Sequence, residues 1–305
     1  MSEKPFGLLE LGSNSLKLYL VELASGTSHG VKTHKFPWRV GHDFFSTGRI
    51  SEETVRDLVS SIRGVESVSE GVPLRSMLAV ATGVFRELPD ITGLAVRVRN
   101  EAGVRLRVIT GEDEARLMAK GFPKDHKGSH FLCDLGGATT EWAWMVDGAD
   151  RGCGSLPLGA IRNEYKLGHL RQDRVAYLRE SAQICDAALE KLPLDCPSLV
   201  MSTGGTAKAV AQVAQKMLVP IEELREIIDR TIADGPPKEL KPERQLVLLP
   251  GLVILERICV RSSSPTLEYA KTSVRDGMAQ RLIQLLVSHK PQDLHSTLLL
   301  HTKGM

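Results

Sequence analysis

At 305 residues, 42% apolar and 25% charged, the chain has material for more than one core and the make-up of an ordinary soluble protein. A formal net charge of +2 gives no bulk electrostatic case for nucleic acid, and no apolar run reaches the length of a membrane span. Cys133, Cys153, Cys185, Cys196 and Cys259 are scattered without paired metal spacing, so free thiols, a reducing compartment and a cytoplasmic location are expected, with no signal-like start.

Residues 6–10 and 16–23 read as two strands around Glu10-Leu-Gly12-Ser13-Asn14-Ser15, and residues 31–36 as a third antiparallel strand. Residues 38–50 read as a loop in which His42 and Arg49 either face a ligand or lie on the surface. Ser51 caps a helix, with Glu52 and Glu53 at its positive end and Val55, Leu58, Val59, Ile62, Val65 and Val68 on its buried face. A strand over residues 77–81 runs into Ala81-Thr-Gly-Val-Phe-Arg86. Arg86 there either holds a phosphate or makes a surface ion pair. After a strand at 104–109, Thr110-Gly-Glu-Asp113 fits a capping box and predicts a helix over 111–120. Glu112 and Asp113 suit solvent at the helix start, whereas Glu114, just before Leu117 and Met118, is a candidate to point inward. Residues 121–129 read as a linker, which divides the chain into domains 1–122 and 123–305.

Beyond it, Asp134-Leu-Gly136-Gly137-Ala138-Thr139 repeats the grammar of the first hairpin, with Asp134 matching Glu10, Gly136 matching Gly12 and Thr139 matching Ser15. Glycines let backbone N–H groups approach a ligand, and consecutive N–H groups form an anion-binding nest. An acid beside such a nest calls for a cation, most simply Mg²⁺. Two related hairpins suggest two related domains whose loops clamp one phosphoryl group. Arg162 and Lys166 suggest the start of a basic surface, and residues 174–192 a helix burying Val175, Leu178, Ala182, Cys185 and Leu189. A strand at 198–202 meets Gly204-Gly205-Thr206 and a helix to about 217, a third phosphate or nucleotide-binding grammar, with glycines that merely close a tight turn as the alternative. Helices are expected over 245–259 and 274–287, with close packing as the reason for Gly277.

Eight of these pieces, in order over residues 6–288, resemble the exopolyphosphatase / guanosine pentaphosphate phosphohydrolase (Ppx/GppA phosphatase) family in its short form. They are Glu10-Leu-Gly-Ser-Asn-Ser15, Ala81-Thr-Gly-Val-Phe-Arg86, Gly111-Glu-Asp-Glu-Ala-Arg116, Asp134-Leu-Gly-Gly-Ala-Thr-Thr-Glu141, Ser155-Leu-Pro-Leu-Gly159, Gly204-Gly-Thr206, Leu249-Pro-Gly-Leu-Val-Ile254 and Ser273-Val-Arg-Asp-Gly277. The resemblance implies an α/β fold: two ribonuclease-H-like domains of the actin / sugar-kinase / heat-shock-ATPase superfamily with an interdomain cleft. It implies Mg²⁺-dependent cleavage of the terminal phosphoanhydride of polyphosphate or guanosine pentaphosphate. From hydropathy and charge no membrane or specific nucleic-acid partner is expected, and a homodimer is an open state. Its catalytic glutamate falls on Glu114, its phosphate-contacting arginine on Arg86, and its metal carboxylates on Asp134 and Glu10. Its phosphate loops fall on Gly12, Ser13, Asn14 and Ser15, and on Gly136, Gly137, Ala138 and Thr139, with Gly204, Gly205 and Thr206 as the third contact. Glu10 stands where the family has Asp, Asp90 where Asn is common, and Ala138 where it has a third glycine. If that third position needs φ > 0, Ala138 is strained. A weakly active binding protein and an ATP-dependent kinase of the superfamily are the alternatives.

Overall fold

A computed structural model describes residues 6–24, 27–122, 126–194, 198–270 and 277. Contacts divide the chain into two compact units, Met1–Lys120 with Arg275–Met305, and Gly121–Val274. The sequence boundary lies two residues from this one; the sequence reading puts 275–305 in the second domain, whereas the contacts group them with the first unit.

In the first unit, β1 (Phe6–Leu11), β2 (Ser15–Ala24) and β3 (Thr27–Pro37) form an antiparallel meander. Strands β4 (Leu78–Ala81) and β5 (Leu106–Val108) then add in parallel on the other side of β1, giving the order β3-β2-β1-β4-β5. Strand β1 is central and buried from Gly7 to Leu11, as a strand covered on both faces must be. Ser51 caps α2 (Glu52–Gly64) by accepting the Thr54 N–H, and Val55, Leu58, Val59 and Ile62 are its buried stripe, as their spacing predicts. Two helices escape the sequence reading: α1 (Val40–Thr47), within the expected loop, and α3 (Ile91–Ala102). Gly48 at φ 75° is the C-cap signal for α1. Asp90 caps α3 by accepting the Gly93 N–H, which gives that departure from the family pattern a structural use. Helix α4 (Gly111–Lys120) has the predicted bounds, and Thr110 and Asp113 make the capping contacts. Gly277 is helical and buried; a Cβ on it would stand 2.5 Å from the Leu117 carbonyl carbon, the expected close packing. The rest of the helix expected at 274–287 lies outside the described residues.

The second unit repeats this plan. Strands β6 (Ser129–Leu135), β7 (Thr140–Val146) and β8 (Ala149–Leu156) are the meander; β9 (Leu199–Thr203) and β11 (Thr266–Tyr269) add in parallel beyond β6. The order β8-β7-β6-β9-β11 matches that of the first sheet, and β10 (Leu218–Pro220) is an extra antiparallel edge. This is the ribonuclease-H-like arrangement twice over. Strand β8, Ala-Asp-Arg-Gly-Cys-Gly-Ser-Leu, has no strand signal of its own; it pairs with β7, and Gly154 leaves room for the Trp142 ring, where a Cβ would stand 3.1 Å from the indole nitrogen. Helix α5 (Ala160–Leu167) begins where only a basic surface was expected. Helix α6 (Arg174–Leu189) buries Cys185 and Leu189 as expected, with Leu178 packed against the core, but its stripe also takes in Tyr177 and Ser181, and Val175 is 73% exposed. A large aromatic at 177 outweighs the valine in choosing the buried stripe. Helices α7 (Gly204–Ala214), α8 (Ile221–Asp234), α9 (Pro242–Gln245) and α10 (Leu248–Arg261) complete the unit; the helix expected at 245–259 is two helices. Helix α10 packs centrally, with Leu248 to Leu255 buried in the main apolar cluster. The thiols of Cys133 and Cys185 are free and pushed up to about 12 by burial, which leaves them unreactive.

Candidate active site

In the first unit, the Gly12 N–H donates to the Ser15 carbonyl at 3.0 Å and closes the loop between β1 and β2. The Ser13 hydroxyl oxygen accepts from the Val84 N–H at 3.1 Å, and the Thr82 N–H donates to the Leu11 carbonyl at 2.9 Å. These bonds fasten the loop to the 3₁₀ turn Gly83–Arg86. Glu10, 8% exposed, accepts from Lys17 Nζ at 2.7 Å on one oxygen and from the Tyr19 hydroxyl at 2.6 Å on the other. The carboxylate of this hairpin therefore carries its own cation.

Arg86 and Glu114 come together. Arg86 Nη1 donates to Glu114 Oε2 at 2.6 Å, and Glu114 is 7% exposed in the first turn of α4. Glu112 and Asp113 instead pair with Arg116 on the same helix. Of the three adjacent acids, only Glu114 points inward, so the sequence alternative of a solvent-facing cap charge applies to the other two. His42, expected either to face a ligand or to lie outside, is buried in the first turns of α1, and burial lowers its pKa.

In the second unit, the Gly136 N–H donates to the Thr139 carbonyl at 2.9 Å, the same closure as in the first loop. Ala138 is 1% exposed and does not have a positive φ. The strain expected of an alanine there is absent, because the loop turns without a left-handed residue at that position. Asp134 stands directly opposite Glu141 in the β6–β7 register. Residues so opposed share a face with Cβ atoms about 4.5–5.5 Å apart, and like charges there are unfavourable without a cation. Glu141 is 3% exposed and accepts from the Ser155 hydroxyl at 2.8 Å. The sequence reading singles out Asp134 and passes over Glu141; the signal lay in the hairpin register, which a four-residue loop fixes.

Helix α7 starts against this hairpin. Gly204 has φ 93°, and a Cβ on it would stand 2.7 Å from the Leu135 carbonyl and 2.9 Å from Asp134 Oδ1. Gly204 is thus required both for its conformation and for the close approach. Thr206 is fully buried with its hydroxyl packed against Gly251 of α10, so its side chain belongs to the interior. Gly205 lies against the Arg244 guanidinium: a Cβ there would stand 2.5 Å from the guanidinium carbon. Burial lowers the pKa of Arg244, and it makes no ion pair among the described residues. Arg244 was missed because it lies in a polar stretch with no motif; only the packing brings it to a helix N-terminus.

Among the described residues no group of three or more His, Cys, Asp or Glu side chains is placed to hold a metal. The Asp134–Glu141 pair nevertheless fits Mg²⁺, which takes one or two carboxylates and completes its shell with water and phosphate oxygens. Glu10, with both oxygens engaged, fits it less well.

A model of the Ppx/GppA phosphatase family matches residues 20–285. The chain belongs to that family. Exopolyphosphatase 1 of Mycobacterium leprae (strain TN) is 27% identical over 305 positions, spanning 90% of this chain and 88% of that protein. Exopolyphosphatase 1 of Mycobacterium tuberculosis (strain ATCC 25618 / H37Rv) is 25% identical, spanning 90% and 87%. Among solved structures, an exopolyphosphatase from Cytophaga hutchinsonii superposes with a TM-score of 0.79 at 16% identity, covering 94% of this chain and 99% of that one. The Aquifex aeolicus Ppx/GppA family member gives 0.74 at 18% identity, covering 93% and 98%. The structural likenesses establish the fold; the Ppx/GppA match establishes a phosphatase family. No helix among the described residues is long and apolar enough to cross a membrane.

Proposed function

We propose that the protein is a Mg²⁺-dependent phosphohydrolase that removes the terminal phosphate of inorganic polyphosphate or guanosine pentaphosphate. The observation that carries this reading is the buried Arg86–Glu114 pair. It places a carboxylate, the group a general base needs, inside the protein beside a guanidinium at 2.6 Å that balances its charge. Glu114 accepts a proton from water as the water oxygen bonds to the terminal phosphorus. The bridging P–O bond breaks, and the shortened chain leaves with the electron pair. Arg86 brings a planar guanidinium, whose forked N–H groups match the geometry of phosphoryl oxygens, to the same place as the base.

The two loops bind phosphate through backbone N–H groups, and Arg244 beside Gly205 adds a cationic contact. When bound, Mg²⁺ supplies charge neutralisation for the phosphoryl oxygens, with Asp134 and Glu141 holding it. Phosphoryl transfer asks mainly for positioning and electrostatics, which these parts supply. Glu10 anchors its hairpin. The negative φ of Ala138 removes one reason to favour a weakly active binder.

The test is a phosphate-release panel over polyphosphates, guanosine pentaphosphate and ATP, each with Mg²⁺ and with chelator. Release from one of the first two that chelator abolishes is expected. Tight binding without release would favour the regulatory alternative, and transfer from ATP to an acceptor would favour a kinase.

A further inference from the structure

We infer that Trp38 and Arg162 are equivalent positioning residues, each fixing the peptide planes of one phosphate loop; this rests on the phosphate-loop reading above. In the second loop three consecutive carbonyls are taken by the start of α5. Gly136 O accepts from the Ala160 N–H at 3.0 Å. Gly137 O accepts from the Ile161 and Arg162 N–H groups at 2.8 and 3.0 Å. Ala138 O accepts from Arg162 Nε at 2.7 Å.

The first loop has its three corresponding carbonyls engaged as well, with the side-chain donor on the first of them rather than the third. Gly12 O accepts from Trp38 Nε1 at 2.8 Å. Ser13 O accepts from the Gly41 N–H at 2.7 Å, and Asn14 O from the Trp38 N–H at 3.4 Å. In the first unit the donors are Trp38, just after β3, and Gly41 of α1; in the second all of them lie in the first turn of α5.

The consequence follows from peptide geometry. No peptide bond here is cis. In a planar trans unit the carbonyl of one residue and the N–H of the next point in opposite directions. Three carbonyls held toward α5 therefore turn the N–H groups of Gly137, Ala138 and Thr139 away from it. The same argument turns those of Ser13, Asn14 and Ser15 away from α1. Each loop becomes a fixed row of donors before any anion arrives. Donors that need no reorientation as charge develops are worth most in catalysis.

Most of these bonds are backbone to backbone and would survive many substitutions. Only Trp38 Nε1 and Arg162 Nε are side-chain donors, so the sequence controls the loops through these two. The fit around them is tight. A Cβ on Gly159, just before α5, would stand 2.6 Å from Ala138 Cα, and Trp38 packs against Phe85 with ring centroids 6.0 Å apart.

The variants Arg162→Lys and Trp38→Phe isolate the role. The first keeps the charge but loses the Nε donor; the second keeps a ring but loses the indole N–H. Each should lower kcat by about 10–10²-fold, the cost of slight misplacement, with KM little changed. In NMR spectra of the full chain, Arg162→Lys should move the amide resonances of Gly137 and Ala138, and Trp38→Phe those of Ser13 and Asn14. Full activity with unmoved amides in both variants would overturn the proposal. A rise in KM alone for Arg162→Lys would also overturn it, since Arg162 would then be a simple anion contact. If the parent releases no phosphate from any substrate, the functional reading fails and the amide arm decides positioning alone: shifted resonances support it, unmoved ones overturn it.

Discussion

The two hairpins share topology, loop closure and the direction of their peptide planes, but their acids sit in opposite electrostatic settings. Glu10 faces Lys17 across its hairpin and also receives the Tyr19 hydroxyl. Asp134 faces Glu141 across the equivalent hairpin. One position, read twice, gives a neutralised carboxylate in the first unit and a pair of carboxylates in the second. The extra methylene of Glu10 fits the first setting, because it lets the carboxylate reach two partners on β2. The repeat thus preserves a loop geometry while its acids differ in their surroundings. On the function proposed above this is a division of labour: the first unit would supply the base beside Arg86, and the second the carboxylates for an added cation.

The comparison is broken most severely at Glu114. Glu114→Gln keeps shape and removes basicity, so turnover should fall by about 10²–10⁴-fold while tripolyphosphate still binds. Glu112→Gln and Asp113→Asn, whose side chains pair with Arg116, should change turnover little. Phosphate release and calorimetric affinity for the three variants check this. Equal small effects in all three would remove Glu114 from the chemistry.

The metal settings separate next. Asp134→Asn should raise the Mg²⁺ concentration for half-maximal turnover by at least the roughly 10–100-fold seen when a metal ligand merely loses its supporting partner. Glu141→Gln should move it in the same direction. Glu10→Gln should leave it unchanged. A Mg²⁺ titration of the three variants reads this directly, and a shift for Glu10→Gln alone would reverse the division of labour.

The same contrast appears in stability. Tyr19→Phe deletes a buried hydrogen bond to a carboxylate, which typically contributes about 1.5–3 kcal/mol. Denaturant unfolding should show a loss of that order, with the Mg²⁺ requirement unmoved. An altered Mg²⁺ requirement would mean that Glu10 does more than anchor its hairpin.

How far the sequence carries these contrasts depends on whether a feature is local. The hairpins, the caps at Ser51 and Thr110 and the inward turn of Glu114 follow from short-range pattern, and they hold. Strand β8 is set by its pairing with β7 and by the Trp142 ring over Gly154, and the buried stripe of α6 takes in Tyr177 and leaves out Val175. Glu141 needed the register, and Arg244 needed the packing against Gly205. Each of these four is set by a packing or pairing partner outside the local pattern, whereas α1 and α3 carry local cap signals at Gly48 and Asp90 that the sequence reading passes over.

The smallest expected effect lies at the third loop position, where the second unit has Ala138 and the first has Asn14. Neither residue has a positive φ, so both loops accept a Cβ there. Restoring glycine with Ala138→Gly relieves no strain. It instead gives the unfolded chain more conformations to lose, a cost of about 0.4–1 kcal/mol. It also empties a site that is 1% exposed, where the methyl is packed. The carbonyl of residue 138 would keep its bond from Arg162 Nε, so the donor row should stay aimed. The expectation is a small loss of stability with kcat unchanged, and Asn14→Gly should behave alike. Unfolding curves and kcat for the two variants check this. A gain in stability for Ala138→Gly would mean that the alanine is strained after all, and that the two loops differ in backbone as well as in charge.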